Sequence, residues 1–124
     1  MRRSWQLFFL FYIFLSSPAA LAREEILNFH SQLRIDEQAQ LWVRETIRVR
    51  AEGAMIQRGI YREFPTRYKD KLGNMYRVGF EFIAARRDGQ EETYNIKQAS
   101  NGVIIYLGHP DRRLAPGIYE YQIR

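Results

Sequence analysis

Leu41-Trp42-Val43-Arg44-Glu45-Thr46-Ile47-Arg48-Val49-Arg50 decides the fold class. Leu41, Val43, Ile47 and Val49 occupy odd positions, and Trp42, Arg44, Thr46, Arg48 and Arg50 occupy even ones. A period of two sends successive side chains to opposite faces, so the stretch reads as a β-strand with one apolar and one polar face. Glu45 breaks the pattern, because it sits on the apolar face between Val43 and Ile47. Burying an unpaired carboxylate is costly, so this strand needs a cation from elsewhere in the chain.

Upstream, Leu27, Phe29, Leu33 and Ile35 alternate with Asn28, His30, Gln32 and Arg34. They predict a second strand with one buried face, joined to the first through the polar Asp36–Gln40 connection as a hairpin. Downstream, Ala51–Ala54 leaves the strand, and Arg58-Gly59-Ile60-Tyr61-Arg62-Glu63-Phe64-Pro65-Thr66-Arg67-Tyr68 follows. In an extended Ile60–Phe64, Arg62 shares the inward side with Ile60 and Phe64, which makes it the natural partner of Glu45 in a buried ion pair. Gly59 permits an unusual backbone angle, and Pro65 forces Phe64 into extended geometry.

Lys69–Asn74 is turn chemistry. Tyr76, Val78, Phe80 and Phe82 alternate again and run on into Ile83-Ala84-Ala85. Asp88-Gly89 signals a tight hairpin whose return strand spans Glu91–Gln98, and Asn101-Gly102 signals a second. Val103–Leu107 reads as a buried strand, His109–Arg113 as a loop, and Ile118–Arg124 as a last strand opened by Pro116-Gly117. Alternation still runs where the sequence stops, so an open sheet edge is expected there, in a fragment of a longer protein. These six strands, with Ile60–Phe64 a seventh, predict an all-β class: an antiparallel β-sandwich, Ig-like or jelly-roll-like, incomplete at its C-terminus.

The first 22 residues read differently. Met1-Arg2-Arg3 is a positive start, Trp5–Leu15 an apolar core, and Ala20-Leu21-Ala22 a small-x-small cleavage site. This is the layout of a secretory signal peptide, helical in its core, which leaves residues 23–124 as one extracytoplasmic domain. Without Arg2 and Arg3 the 19 basic residues become 17 against 14 acidic ones, a net charge of +3. That balance, together with export, argues against nucleic acid as a partner. The absence of cysteine rules out thiol catalysis and thiolate metal sites, and leaves core burial to hold an exported domain together.

No catalytic motif stands out. Ser31 and Ser100 lack a nucleophile elbow, and His30 and Ser31, adjacent on a strand, face opposite ways. Asp70, Asn74 and Asp88 are turn residues without metal-ligand spacing, so neither metal nor cofactor is expected. Paired carboxylates could support glycan hydrolysis, and Glu45 and Glu81 both fall in predicted strands, although Glu81 lies opposite the Phe80–Phe82 face and reads as a solvated residue. The segment carrying Arg58, Arg62 and Arg67 with Tyr61 and Tyr68, followed by Lys69 and Lys71, is a candidate grip for an anionic partner. Phospholipid headgroups, sugar acids and acidic envelope proteins all fit that chemistry. The alternative is a structural loop with internal pairs, and Arg44, Arg48 and Arg50 read as a solvated strand face.

The order Leu33-Arg34-Ile35-Asp36, Val43–Ile47, Gly59-Ile60-Tyr61-Arg62-Glu63-Phe64-Pro65, Asp88-Gly89, Asn101-Gly102, Leu107-Gly108 and Pro116–Tyr121 resembles the N-terminal region of the predicted membrane proteins grouped as domain of unknown function 2207. The Gly-Ile-x-Arg-x-Phe-Pro core is its most specific part. The resemblance implies an extracytoplasmic β-domain on the periplasmic or outer face of a bacterial cell membrane. It further implies transmembrane helices and a cytoplasmic tail in segments absent from this chain. The resulting reading is a non-enzymatic binding or assembly module of a membrane protein. Its rivals are an envelope glycan hydrolase using Glu45 and a structural subunit that assembles by strand addition at its C-terminal edge.

Overall fold

The structure, a computed structural model, describes residues 23–124. The signal-peptide reading of residues 1–22 lies outside the described residues. Ten strands follow one another with no helix among the described residues: β1 (Glu25–Ile35), β2 (Leu41–Ala51), β3 (Gly59–Pro65), β4 (Arg67–Lys69), β5 (Met75–Arg77), β6 (Ala85–Arg87), β7 (Gln90–Glu91), β8 (Tyr94–Gln98), β9 (Gly102–Gly108) and β10 (Gly117–Ile123). They form a five-stranded sheet in the order β1-β2-β10-β6-β7, a three-stranded sheet β3-β9-β8 and a two-stranded ribbon β4-β5. Every pairing among them is antiparallel, so the chain is all-β.

The two larger sheets meet across one core. Ile47 and Val49 of β2, Tyr121 and Ile123 of β10 and Ala85 of β6 face Ile105 and Leu107 of β9. Ile60, Phe64 and Phe82 pack against this cluster from its rim. The odd-numbered face of β2 is therefore the inner one, and each fully buried aliphatic side chain there contributes about 2 kcal/mol.

Two turns share one construction. Asp36 accepts from the backbone N–H groups of Gln38 and Gln40 and from Trp42 Nε1, each within 2.9 Å. Asp70 accepts from the N–H groups of Leu72 and Asn74 and from the Tyr76 hydroxyl. In both, the residue three after the aspartate has positive φ (Ala39 at 59°, Gly73 at 87°) and the residue six after it is aromatic. Such side-chain bonds replace the missing ladder rungs of the turn.

Several expectations need correction. The apolar face of β1 is not buried: Phe29, Leu33 and Ile35 are 46%, 65% and 74% exposed, and Leu41 opposite them is 57% exposed. Leu33, Ile35 and Leu41 lie at the hairpin tip, past the last rung between β10 and β2 at Ile123 and Glu45, whereas Phe29, opposite Ile47, is half-exposed on the edge strand β1. The expected strand from Tyr76 to Ala85 is broken. Its ladder ends where Val78 N–H donates to Thr66 O, and residues 78–84 run as irregular chain. Ring packing takes over there, with Phe80 against Phe64 at 5.4 Å and Phe82 against Tyr94 at 4.5 Å between centroids.

The expected Glu91–Gln98 strand is two strands in different sheets. Glu92 N–H donates to Ala85 O in the first sheet, and Thr93 O accepts from Gly108 N–H in the second, so the chain crosses between layers within two residues. The last strand is not an open edge. β10 lies between β2 and β6, and its far side is closed by Asp88 N–H on Glu120 O and by Arg124 N–H on Ala84 O. The edges of the large sheet are β1 and β7, so strand addition at Ile118–Arg124 has no free ladder to use.

Candidate functional site

β3 is an edge strand of the three-stranded sheet. It pairs with β9 from Gly59–Gly108 to Pro65–Gly102, and that register turns Ile60, Arg62 and Phe64 inward and Tyr61 and Glu63 outward. Arg62 reaches across the core rim to Glu45 of β2. Its Nε donates to Glu45 Oε2 at 2.7 Å and its Nη2 to Glu45 Oε1 at 2.8 Å, a fork-to-fork contact. The Glu45 side chain is 6% exposed and that of Arg62 30%. Arg62 also lies 5.2 Å from the ring centroids of both Phe29 and Phe64, so two aromatic rings flank the guanidinium. The hydrogen bonds to Glu45 raise the Arg62 pKa above its ordinary value, against the opposing effect of burial.

The remaining residues of the arginine–tyrosine segment do not converge with Arg62. Tyr61 is 60% exposed on the opposite face of β3, where its ring sits 6.0 Å from that of Tyr106. Arg58 precedes β3, and its contact with Gln57 Oε1 is a long 3.5 Å. Arg67 lies beyond the other end of β3, where its Nη1 donates to Ser100 O at 3.0 Å. Tyr68 donates its hydroxyl to Pro65 O and is 49% exposed. Strand alternation and the length of β3 (roughly 20 Å) separate these side chains, so the segment forms two ends and two faces rather than one grip. Glu81 lies exposed in the irregular 78–84 chain, not in a strand beside Glu45.

Sequence reasoning missed Glu24. Its carboxylate accepts from four backbone N–H groups of the loop after β2: Glu52 at 3.1 Å, Ala54 at 2.9 Å, Met55 at 2.7 Å and Ile56 at 3.2 Å. The contacts span about thirty residues of sequence, and no local pattern around Glu24 announces them. Partial desolvation pulls the Glu24 pKa up, but the N–H groups of Met55, Glu52, Ala54 and Ile56 together hold it below the ordinary value. A carboxylate whose folded pKa is depressed stabilises the fold above its unfolded pKa and loses that contribution as pH falls through the folded value. Glu24→Gln is therefore expected to lower Tm most near pH 7, with the difference shrinking below about pH 4. Melting curves of both proteins across that range test this; a difference independent of pH would refute it.

A second buried cluster sits under β10. Tyr121 is fully buried, its hydroxyl has no hydrogen-bond partner, and desolvation pushes its pKa up to about 12. Arg87 pairs with Glu92 at 2.9 Å and lies over the Tyr119 ring at 5.3 Å. Arg87 and Glu92 act on Tyr121 through charge, without a well-directed hydrogen bond. Among the described residues, no three His, Asp or Glu side chains gather as metal ligands, and no helix is long and apolar enough to cross a membrane.

Comparison with known proteins places this architecture. No solved structure matches the chain. Over 100 residues it is 26% identical to the "Uncharacterized protein YciQ" of Escherichia coli (strain K12). That match covers 81% of this chain and 16% of the relative, so the chain spans only a small part of the relative's length. A family model described as "Predicted membrane protein (DUF2207) N-terminal domain" matches residues 25–124, which include all ten strands. On that match the chain belongs to the DUF2207 family of predicted membrane proteins, of which it carries the N-terminal domain.

Proposed function

We propose that this chain is a non-catalytic binding or assembly module, a β-sandwich presented on the extracytoplasmic side of a membrane protein. One observation carries the non-catalytic part: both carboxylate oxygens of Glu45, the residue best placed for acid–base work, are taken by Arg62. A general acid or base needs an oxygen within reach of substrate, and a carboxylate held by a bidentate guanidinium is committed to linking the two sheets. The extracytoplasmic placement rests on the signal-peptide layout of residues 1–22 and on membership of a membrane-protein family. Partners that suit it are envelope proteins and anionic small molecules.

The test sets Glu45→Gln against the hydrolase reading. The module predicts no release of reducing sugar from cell-wall glycan by either protein, and a lowered Tm for the variant. Turnover by the unsubstituted protein that disappears in a stably folded Glu45→Gln would overturn it.

A further inference from the structure

Beside the β4–β5 ribbon lies a cleft of about 400 Å³, lined by Arg67, Arg77, Val78, Phe80, Phe82 and Ile96 among others. It exists because the chain abandons its ladder after Val78. The irregular 78–84 segment arches towards the β8–β9 hairpin, with its aromatic rings anchored at Phe64 and Tyr94. The ribbon is held in place from the other side, since the backbone N–H groups of Thr66 and Arg67 both donate to Asn101 O.

Two features of this cleft point the same way. Arg67 and Arg77 are directly opposite each other in the β4–β5 ladder, so their side chains leave the ribbon on one face. Like charges directly opposed across strands destabilise the pair. Among the described residues neither arginine has a carboxylate within ion-pair distance; the pairs that form are Arg50–Glu25, Arg62–Glu45 and Arg87–Glu92. The nearby Asp70 is occupied by its own turn. The second feature is apolar surface next to this uncompensated charge: Val78, Phe80 and Ile96 are 51%, 40% and 38% exposed.

We infer that this cleft binds a small anionic amphiphile, with its carboxylate or phosphate between Arg67 and Arg77 and its hydrocarbon body against Val78, Phe80, Phe82 and Ile96. Guanidinium forks match carboxylate and phosphate geometry. The volume falls at the lower end of small-molecule sites, about 300–1,000 Å³. The anion removes the repulsion between the two arginines, and the hydrocarbon covers surface that the broken strand leaves open. The inference rests on the binding-module reading and gives it a ligand class.

Calorimetric titration of the purified protein tests it, with decanoate as the free-acid probe, dihexanoyl phosphatidylglycerol as the phosphate-headgroup probe and decanol as the uncharged control. At least one acidic probe is expected to bind at one site, with decanol about tenfold weaker or worse, since one charge-assisted contact is worth about 1.4 kcal/mol or more. The tighter of the two acids identifies the headgroup. Arg67→Ala and Arg77→Ala should each weaken binding about tenfold, while Arg48→Ala, outside the cleft, leaves it unchanged.

Thermal unfolding of the same variants separates this from a structural role. Arg77→Ala should hold or raise Tm in the absence of ligand, because it relieves a like-charge pair, even as it lowers affinity. Failure of both acids to bind, decanol binding equal to decanoate, or unchanged affinity in both alanine variants would overturn the site. None of these outcomes touches the non-catalytic reading, which falls only to glycan turnover.

Discussion

Arg62→Ala is expected to destabilise the fold by about 3 kcal/mol, a large fraction of the roughly 5–15 kcal/mol that holds a domain folded. The estimate follows from what is left behind rather than from what is removed. Glu45 is 6% exposed and stands between Ser31 of β1 and Ile123 of β10, neither of which offers a cation. With Arg62 gone, a carboxylate at the core rim has neither water nor partner. Arg62 itself is 30% exposed, which puts the cost at the lower end of the range for breaking a buried pair. Arg62→Lys should recover only part of it. A single ammonium nitrogen cannot reproduce the two parallel N–H···O bonds at 2.7 and 2.8 Å, nor place a planar cation beside the rings of Phe29 and Phe64.

The double change Glu45→Leu/Arg62→Met should lie much closer to the unsubstituted protein than either single change, because a matched apolar pair carries no stranded charge. Urea denaturation of the unsubstituted protein, Arg62→Ala, Arg62→Lys, Glu45→Leu, Arg62→Met and the double variant measures all of this. A cost for Arg62→Ala within about 0.5 kcal/mol, typical of surface positions, would mean that the pair does not link the sheets.

That pair was legible in the sequence because it depends on two local rules: strand alternation put Glu45 on the apolar face of β2 and Arg62 on the inward side of β3. The hairpin at Asp88-Gly89 was legible for the same kind of reason, since turn chemistry is local, whereas the second turn falls one residue early, on Ser100-Asn101, with Gly102 already in β9. The failures are all non-local. Alternation in β1 reports that one face is apolar, and it cannot report whether another layer reaches that face. Leu33 and Ile35 carry the same pattern as Ile47 and Val49 and end up exposed, at a hairpin tip beyond the last β2–β10 rung.

Strand order is equally invisible. Nothing within Ile118–Arg124 says that two strands distant in sequence will take both of its sides. The Tyr76–Ala85 run misled because aromatic alternation satisfies a strand and a ring-packed irregular segment alike. The Arg67–Arg77 cleft was hidden for that reason too, since Arg77 stands between Tyr76 and Val78 in a run whose alternation predicts an ordinary strand. Arg67 was legible as a candidate only because it fell in a dense segment; its actual neighbour is across a ribbon, not along the chain.

Gly59→Ala is the second change with a large expected effect, about 3 kcal/mol or more. Gly59 opens β3 opposite Gly108 of β9, and at φ 156° its backbone lies against the partner strand. A Cβ built there overlaps the carbonyl oxygen of Leu107, and one built on Gly108 overlaps the carbonyl oxygen of Arg58. These obstacles are backbone atoms of a paired strand, so no rotamer change can clear them. Among the described residues β3 has β9 as its only ladder partner, and Gly59–Gly108 is the first rung of that ladder. A slip of one residue would carry Arg62 to the solvent face and bring Glu63 towards Glu45, replacing an attraction by a repulsion at the core rim. The variant should therefore lose more than the cost of one clash, and hydrogen exchange should show the amides of β3 and β9 losing protection together. Gly53→Ala is the control. Gly53 has φ of 77° with nothing within 4 Å of an added Cβ, so only the backbone strain of about 1–2 kcal/mol applies. Equal losses for the two variants would place the cost of Gly59→Ala in backbone angle alone. A clearly larger loss at Gly59, with β3 amides exposed, would place it in the close approach of β3 to β9 that aims Arg62 at Glu45.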